Sequence, residues 1–230
     1  MKPRTLWLLS AAIAGWVGAA AAAASLDKIT NQDAIVGLKA ALEKGSGAAV
    51  SLLGRTDGFF GNAAVKIPLP DSLKRYEKLM RGVGLGKYAD ELILTMNRAA
   101  EGAVPEAKAL LVDAVKKMSV QDAKGILTGG ETAGTEYFKR TTSDPLRAKF
   151  LPIAQKATQK VQLAEKYNEY AEKGAKFGLV KKEHANLDQY VTQKALDGLF
   201  YVVAEEEKKI RKDPVKAGSD IIRKVFGALK

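Results

Sequence analysis

Apolar residues recur at helical spacing along almost the whole chain beyond residue 24, and this periodicity limits the fold more than any other feature. Side chains three and four positions apart share one face of a helix, so each repeat predicts an amphipathic helix that needs a packing partner. Strict alternation occurs once, between Val65 and Leu69, where Pro68 and Pro70 allow only an extended edge or a hairpin arm. We predict an all-α, single-domain multi-helix bundle over residues 25–230, with one short extended or hairpin segment near residues 58–70.

Several helix starts are marked by residues that cap helices or fit their first turn. The candidates are Asp33, Ser119 with Asp122, Asp144 with Pro145, and Asp213 with Pro214. The pattern over residues 187–210 predicts one long helix that is apolar nearly all round between residues 195 and 204. A helix without a polar face belongs in the interior, so we expect this one at the centre of the bundle.

The first 24 residues have the plan of a secretory signal peptide. Lys2 and Arg4 precede an apolar run over residues 6–23, and small residues lead up to a cleavage site after Ala24. We predict a signal peptide over residues 1–24 and a periplasmic location for the rest of the chain. An uncleaved anchor is the alternative, because the run approaches the ~20 residues that cross a bilayer. No transmembrane segment is predicted after cleavage.

The chain is basic, with a formal net charge of +11 that falls to +9 when Lys2 and Arg4 leave with the leader. A positive surface attracts anionic partners, so we expect an envelope protein, a lipid or an anionic ligand. Export argues against nucleic acid as the partner. The charge could equally serve solubility alone.

The residue inventory removes several kinds of chemistry. The sequence contains no cysteine, which excludes disulfides, thiol catalysis and lipid attachment at a cysteine. His184 is the single histidine and lies in a lysine-rich stretch, so a histidine-built metal site is excluded. We predict no metal and no cofactor.

Asn97, Arg98 and Glu101 form the most suggestive polar cluster. Asn97 and Glu101 are four positions apart on one predicted helix, and Arg98 is three positions from Glu101. Such a group can grip a polar ligand, or it can form a hydrogen-bond network between helices. We include all three among the candidate ligand-binding residues.

Tyr137 and Asp197 complete the candidate ligand-binding set. Asp197 interrupts the apolar central helix, so we expect a buried carboxylate there. A buried charge needs donors or a cation, because leaving it unpaired costs several kcal/mol or more. Asp197 is therefore either a polar anchor of the fold or an acid in a pocket.

Two segments are candidates for contact with a partner or a membrane. Phe59 and Phe60 lie between glycines and form a possible exposed tip, with folding back onto the bundle as the alternative. The basic C-terminal segment contains Arg223, Lys224 and Phe226, and as an amphipathic helix it could lie on an anionic membrane. Packing of this helix on the bundle is the alternative.

Several stretches together resemble a bacterial family known as domain of unknown function 4197. They are residues 33–42 (DAIVGLKAAL), 66–70 (KIPLP), 96–101 (MNRAAE), 135–138 (TEYF), 190–192 (YVT) and 196–200 (LDGLF). The resemblance extends through Glu206, Glu207, Ile210, Arg211, Asp213 and Pro214 to Val225, Phe226 and Gly227. It implies an exported, mostly helical bacterial protein and supplies no catalytic residues.

Three functional hypotheses follow. The first is a non-enzymatic periplasmic binding or interaction module of the cell envelope, and enzymatic activity is not predicted. The second is a carboxylate-based hydrolase, which requires two of the acids Glu101, Glu131, Glu136 and Asp197 to meet in one cleft. The third is a membrane-surface protein that binds through its basic C-terminal helix.

Overall fold

The computed structural model describes residues 30–165, 167–168 and 186–228, and of residues 75 and 76 only the backbone. The helices are α1 (Asn31–Leu53), α2 (Asp71–Gly82), α3 (Gly86–Ala103), α4 (Ala107–Lys117), α5 (Val120–Thr128), α6 (Ala133–Thr158), α7 (Leu187–Lys212) and α8 (Asp220–Gly227). A 3-10 turn, Val104–Glu106, joins α3 to α4. Since these described residues contain no strand, the prediction of an all-α bundle is confirmed.

Helix α7 packs against three other helices, as predicted for a central helix, although one stripe of it, through Asp197, is exposed. It packs against α6, α1 and α3, and α6 in turn packs against α3 and α4. Leu196, Leu199 and Val203 of α7 are buried in the common core. Full burial of a leucine contributes about 1.5–3 kcal/mol to folding, so this helix anchors its three neighbours.

The segment between α1 and α2 has no regular secondary structure. Residues 54–65 form turns and bends, and residues 66–70 are extended. Val65, Ile67 and Leu69 point into the core, which explains their alternation with exposed residues. The extended part has no neighbouring strand among the described residues, so its backbone groups need side-chain partners.

Three predicted helix starts are wrong. The N-cap of α1 is Thr30, whose hydroxyl accepts the backbone N–H of Asp33. Asp144 and Pro145 lie inside α6, which also continues through Pro152. The last helix, α8, begins at Asp220 and not near residue 213. The capping box of Ser119 and Asp122 at the start of α5 is confirmed.

Core packing explains why α6 continues through a proline that lacks a backbone N–H. Leu146 and Phe150, one and five positions after Pro145, are fully buried. The hydroxyls of Thr141 and Thr142, just before the proline, donate to carbonyls one turn back at 2.8 and 2.6 Å. Burial of the next two turns therefore outweighs the local preference for a helix start.

Helix α8 packs closely on α1, and the contact tests how tightly the C-terminal segment is attached. A Cβ on Gly37 would lie 2.5 Å from Cγ2 of Val225 and 2.9 Å from the carbonyl oxygen of Ile221. Overpacking of this kind costs about 1–3 kcal/mol, which exceeds the gain in helix propensity. We expect Gly37→Ala to lower the free energy of unfolding, measured by urea denaturation.

The matched control is Gly47→Ala in the same helix. A Cβ on Gly47 meets nothing within 4 Å, so this change should raise stability by up to about 1 kcal/mol. Equal effects of the two substitutions would show that α8 is not seated on Gly37.

Candidate functional site

Asn97 of α3 bonds to the backbone of the extended segment, residues 66–70, as a neighbouring strand would do. Its Oδ1 accepts the backbone N–H of Ile67 at 2.8 Å, and its Nδ2 donates to the carbonyl oxygen of Ile67 at 2.9 Å. The same nitrogen donates to the carbonyl oxygen of Ile93 at 2.8 Å. The side chain is fully buried. All of the hydrogen bonds that its amide makes are thus internal to the fold.

Glu101, one turn further along α3, holds the loop residues that precede this extended segment. Its Oε1 accepts the backbone N–H groups of Phe59 and Phe60, each at 3.0 Å, and Oε2 accepts Nη1 of Arg98 at 2.6 Å. Arg98 also donates to Oδ1 of Asp57 at 2.8 Å. Hydrogen bonds to Glu101 first, and then to Asp57, raise the pKa of Arg98, so the guanidinium stays charged. The polar cluster is therefore a network that joins α3 to a loop.

This network determines where the two adjacent phenylalanines lie. Phe59 is fully buried against Gly198 of α7, so the prediction of an exposed tip is wrong for this residue. Phe60 is half-buried. Its ring lies 4.1 Å from Nζ of Lys66 and 5.7 Å from Cζ of Arg98, measured to the ring centroid. Both backbone amides are held by Glu101, which folds the segment onto the bundle.

Tyr137 is an internal residue of the packed helices. Its hydroxyl donates to the carbonyl oxygen of Ala114 at 2.7 Å, which links α6 to α4. The side chain is buried, and this burial raises the pKa of the phenol. Tyr190 likewise donates from α7 to the carbonyl oxygen of Pro68 at 3.1 Å, and burial raises its pKa to about 12. Both tyrosines connect elements of the fold.

Asp197 is exposed, so the prediction of a buried carboxylate is wrong. The reason is helical register: Gln193, Asp197 and Tyr201 are four positions apart and form the outer stripe of α7. The carboxylate accepts Nε2 of Gln193 at 2.7 Å, and Nζ of Lys194 lies 3.9 Å away. Water and these neighbours solvate the charge.

A groove of about 510 Å³ runs between α6 and α7 and has Asp197 on its rim. Its floor contains the buried side chains of Leu196 and Phe200. Arg147 donates from α6 to Oε1 of Gln193 at 2.7 Å. The other residues that line it are Thr132, Glu136, Lys139, Ser143, Asp197, Tyr201 and Ala204. An apolar floor and a charged rim suit a ligand with both apolar and polar parts.

The groove contains two of the four acids that the hydrolase hypothesis names. Glu136 and Asp197 both line the groove, whereas Glu101 is bonded inside the molecule. Glu136 accepts Nζ of Lys139 at 2.8 Å. Glu131, Glu136 and Asp197 are all exposed, so Glu101 alone of the four predicted acids is buried, and its oxygens already accept internal hydrogen bonds.

Glu207 is a buried carboxylate to which the sequence patterns assigned no structural role. It accepts the backbone N–H groups of Gly134 and Thr135 at 2.9 and 2.8 Å and the Thr135 hydroxyl at 2.8 Å. Arg211 approaches the same carboxylate at 2.9 Å. Thr132, the N-cap of α6, makes no side-chain cap bond, so Glu207 caps this helix from α7. Its position four before Arg211 was the available signal.

The C-terminal residues do not form a free amphipathic helix. Phe226 is buried between α8 and the bundle, so its predicted contact with a partner or membrane is wrong. Arg223 and Lys224 are exposed and pair with Asp220 and Asp33, each at 2.7 Å. The apolar side of α8 is thus covered by α1 and its surroundings.

Some predictions concern residues that the structure does not describe. The leader, residues 1–24, and His184 lie outside the described residues. Over residues 30–165, 167–168 and 186–228, no three acidic or histidine side chains are grouped to hold a metal ion. In the same ranges, no helix is long and apolar enough to cross a membrane.

The chain matches the model of a protein family. A family model described as "Protein of unknown function (DUF4197)" matches residues 28–227, which include every helix described above. No curated protein and no solved structure matches the chain.

Proposed function

The chain belongs to the DUF4197 family, and we propose that it is an exported, non-enzymatic binding module of the bacterial cell envelope. Support for export comes from residues 1–24, which combine a basic start, an apolar run and small residues before Ser25. A chain with no cysteine needs no disulfides and offers no site for a lipid anchor on cysteine. The site of action proposed here is therefore the periplasm.

The bonding of the buried carboxylates supports binding over catalysis. Glu101 is engaged by two loop amides and Arg98, and Glu207 by the start of α6 and Arg211. Asp188, the third buried acid among the described residues, accepts the hydroxyl of Thr158. A general acid or base has to reach its substrate. These three carboxylates are buried and bonded to internal partners, so they do not reach a substrate in a groove.

The groove between α6 and α7 is the observation that carries this proposal. Ligand pockets are usually about 300–1,000 Å³ and place a few polar groups beside apolar surface. This groove falls in that range at about 510 Å³. Along its rim, Arg147, Gln193 and Asp197 form a continuous hydrogen-bonded chain, with both links 2.7 Å long. An amphipathic ligand could rest on Leu196 and Phe200 and bond to this rim.

Native mass spectrometry of protein isolated from the periplasm tests the binding function. We expect a non-covalent small-molecule adduct on a chain whose mass corresponds to residues 25–230. Arg147→Glu should reduce adduct occupancy at least about tenfold, since a hydrogen bond to a charged group is worth ~1.5–3 kcal/mol. Arg147 is exposed, so the variant should fold.

Lys149→Glu is the matched control, because it reverses an exposed charge on the same helix outside the groove lining. It should leave the adduct in place. Binding in the groove is contradicted if no adduct is found, or if both variants retain or lose it equally.

A second candidate function is the carboxylate-based hydrolase, and one observation favours it. Glu136 and Asp197 line the same groove. If the ligand found there is hydrolysed, and both Glu136→Gln and Asp197→Asn abolish its turnover, catalysis replaces simple binding as the function. If the protein only binds, the unmodified protein itself should yield the bound molecule unchanged.

A further inference from the structure

A cluster of large apolar side chains is exposed where α2 meets α3. Among the described residues, nine large apolar side chains are exposed, and five of them lie between residues 79 and 94. Four fall within ten consecutive residues: Leu79 at 64%, Val83 at 72%, Leu85 at 44% and Tyr88 at 45% exposure. We refer to residues 78–88 as the α2–α3 tip. Such a concentration of apolar surface is typical of an interaction site.

This exposure departs from the amphipathic pattern of α2. Leu79 and Val83 continue the helical stripe that begins at Leu73, and Leu73 is buried. The spacing therefore predicts that all three pack against the bundle. In the structure Leu73 is buried and Met80 is partly buried against the core, whereas Leu79 and Val83 are exposed. These two side chains are left for another surface to cover.

The tip is held in a fixed shape. Leu85 donates its backbone N–H to the carbonyl oxygen of Met80 at 2.7 Å, and Gly84 adopts a φ of +79°, which favours glycine. Arg81 pairs with Glu77 on its own helix and with Asp90 on α3. These bonds tie the two helices together on either side of the turn. The apolar side chains are thus displayed on a structured turn.

The charges around the tip select the kind of surface that it fits. Residues 74–88 contain five Lys or Arg and one Glu, and Asp71 and Asp90 on either side pair with Lys74 and Arg81. Lys78 and Lys87 are both exposed, and Nζ of Lys87 lies 5.1 Å from the ring centroid of Tyr88. Apolar residues with tyrosine and flanking lysines are the combination found at the interface of bilayers with anionic lipids.

We propose that the α2–α3 tip docks on the surface of an anionic phospholipid bilayer. Leu79, Val83 and Leu85 enter the boundary between headgroups and acyl chains, and Lys78 and Lys87 contact lipid phosphates. The site goes beyond the binding function of the groove and shares no residue with it. It also replaces α8 as the membrane contact, because the apolar side of α8 is packed on the bundle.

Vesicle flotation tests the docking. The chain lacking residues 1–24 is used, because it retains every described helix and removes the apolar leader. It should float with vesicles of phosphatidylethanolamine and phosphatidylglycerol, and not with pure phosphatidylcholine. Leu79→Ser/Val83→Ser should weaken the binding about tenfold or more, and Lys78→Glu/Lys87→Glu should weaken it by a similar factor.

The controls are matched in chemistry and exposure. Val120→Ser/Val215→Ser removes two exposed apolar side chains outside the tip. Lys108→Glu/Lys124→Glu reverses the charge of two exposed lysines outside the tip. Both control proteins should bind vesicles within about twofold of the unmodified chain, because neither touches the tip. Docking is overturned if the unmodified chain does not bind, or if tip and control variants bind alike. It is also overturned if sedimentation shows that the unmodified chain is a dimer and that Leu79→Ser/Val83→Ser converts it to a monomer.

Discussion

Replacement of Glu207 by alanine should lower the free energy of unfolding by about 3–5 kcal/mol, because it leaves buried donors unpaired. The carboxylate accepts the backbone N–H groups of Gly134 and Thr135 in the first turn of α6, and also the Thr135 hydroxyl. It also neutralises Arg211, whose side chain is only 14% exposed. Urea denaturation followed by far-ultraviolet circular dichroism measures the loss.

Glu205→Ala is the matched control for Glu207→Ala. Glu205 lies on the same helix and also pairs with a cation, Lys208, at 2.9 Å, but its side chain is 40% exposed. Pairs of this kind contribute at most about 1 kcal/mol. Similar losses for the two variants would show that Glu207 is not the cap of α6.

Glu101→Ala is expected to produce the second large loss, about 3 kcal/mol, because the buried amide of Phe59 and the partly buried amide of Phe60 lose their acceptor. Arg98 then keeps only its exposed pair with Asp57. The loss should be accompanied by faster hydrogen exchange over residues 57–61, since their contact with α3 is broken. Denaturation and exchange mass spectrometry measure the two effects.

Glu91→Ala on the same helix is the control for Glu101→Ala. Glu91 is exposed, so its removal should change the free energy of unfolding by less than about 0.5 kcal/mol. It should also leave exchange over residues 57–61 unchanged. If Glu101→Ala destabilises the protein without loosening this segment, the assigned contact between α3 and the loop is wrong.

The helices were predictable because their signals are local. The capping box at Ser119 and the all-round apolar pattern of α7 lie within a few turns of sequence. Pro145 misled for the opposite reason, since α6 continues past it through the burial of Leu146 and Phe150. Local chemistry marks where a helix could start, and tertiary packing decides whether it does.

The candidate site was less predictable, because burial depends on which face of a helix meets its neighbours. Asp197 lies among apolar residues in sequence. It is nevertheless one helical turn from Gln193, and both side chains lie on the exposed stripe of α7. Asn97 and Glu101 stood out correctly as a polar pair, but their partners lie in a loop 30 and 41 or 42 positions away. Pairings over that distance follow from the fold and leave no local pattern.

We propose that Glu101 serves the fold alone and that the groove at Arg147 binds the ligand. Native mass spectra of Glu101→Gln and Arg147→Glu, each isolated from the periplasm, test it directly. We predict that Glu101→Gln keeps the adduct with reduced stability, and that Arg147→Glu loses the adduct with stability unchanged. Loss of the adduct from Glu101→Gln together with its retention by Arg147→Glu would contradict the claim.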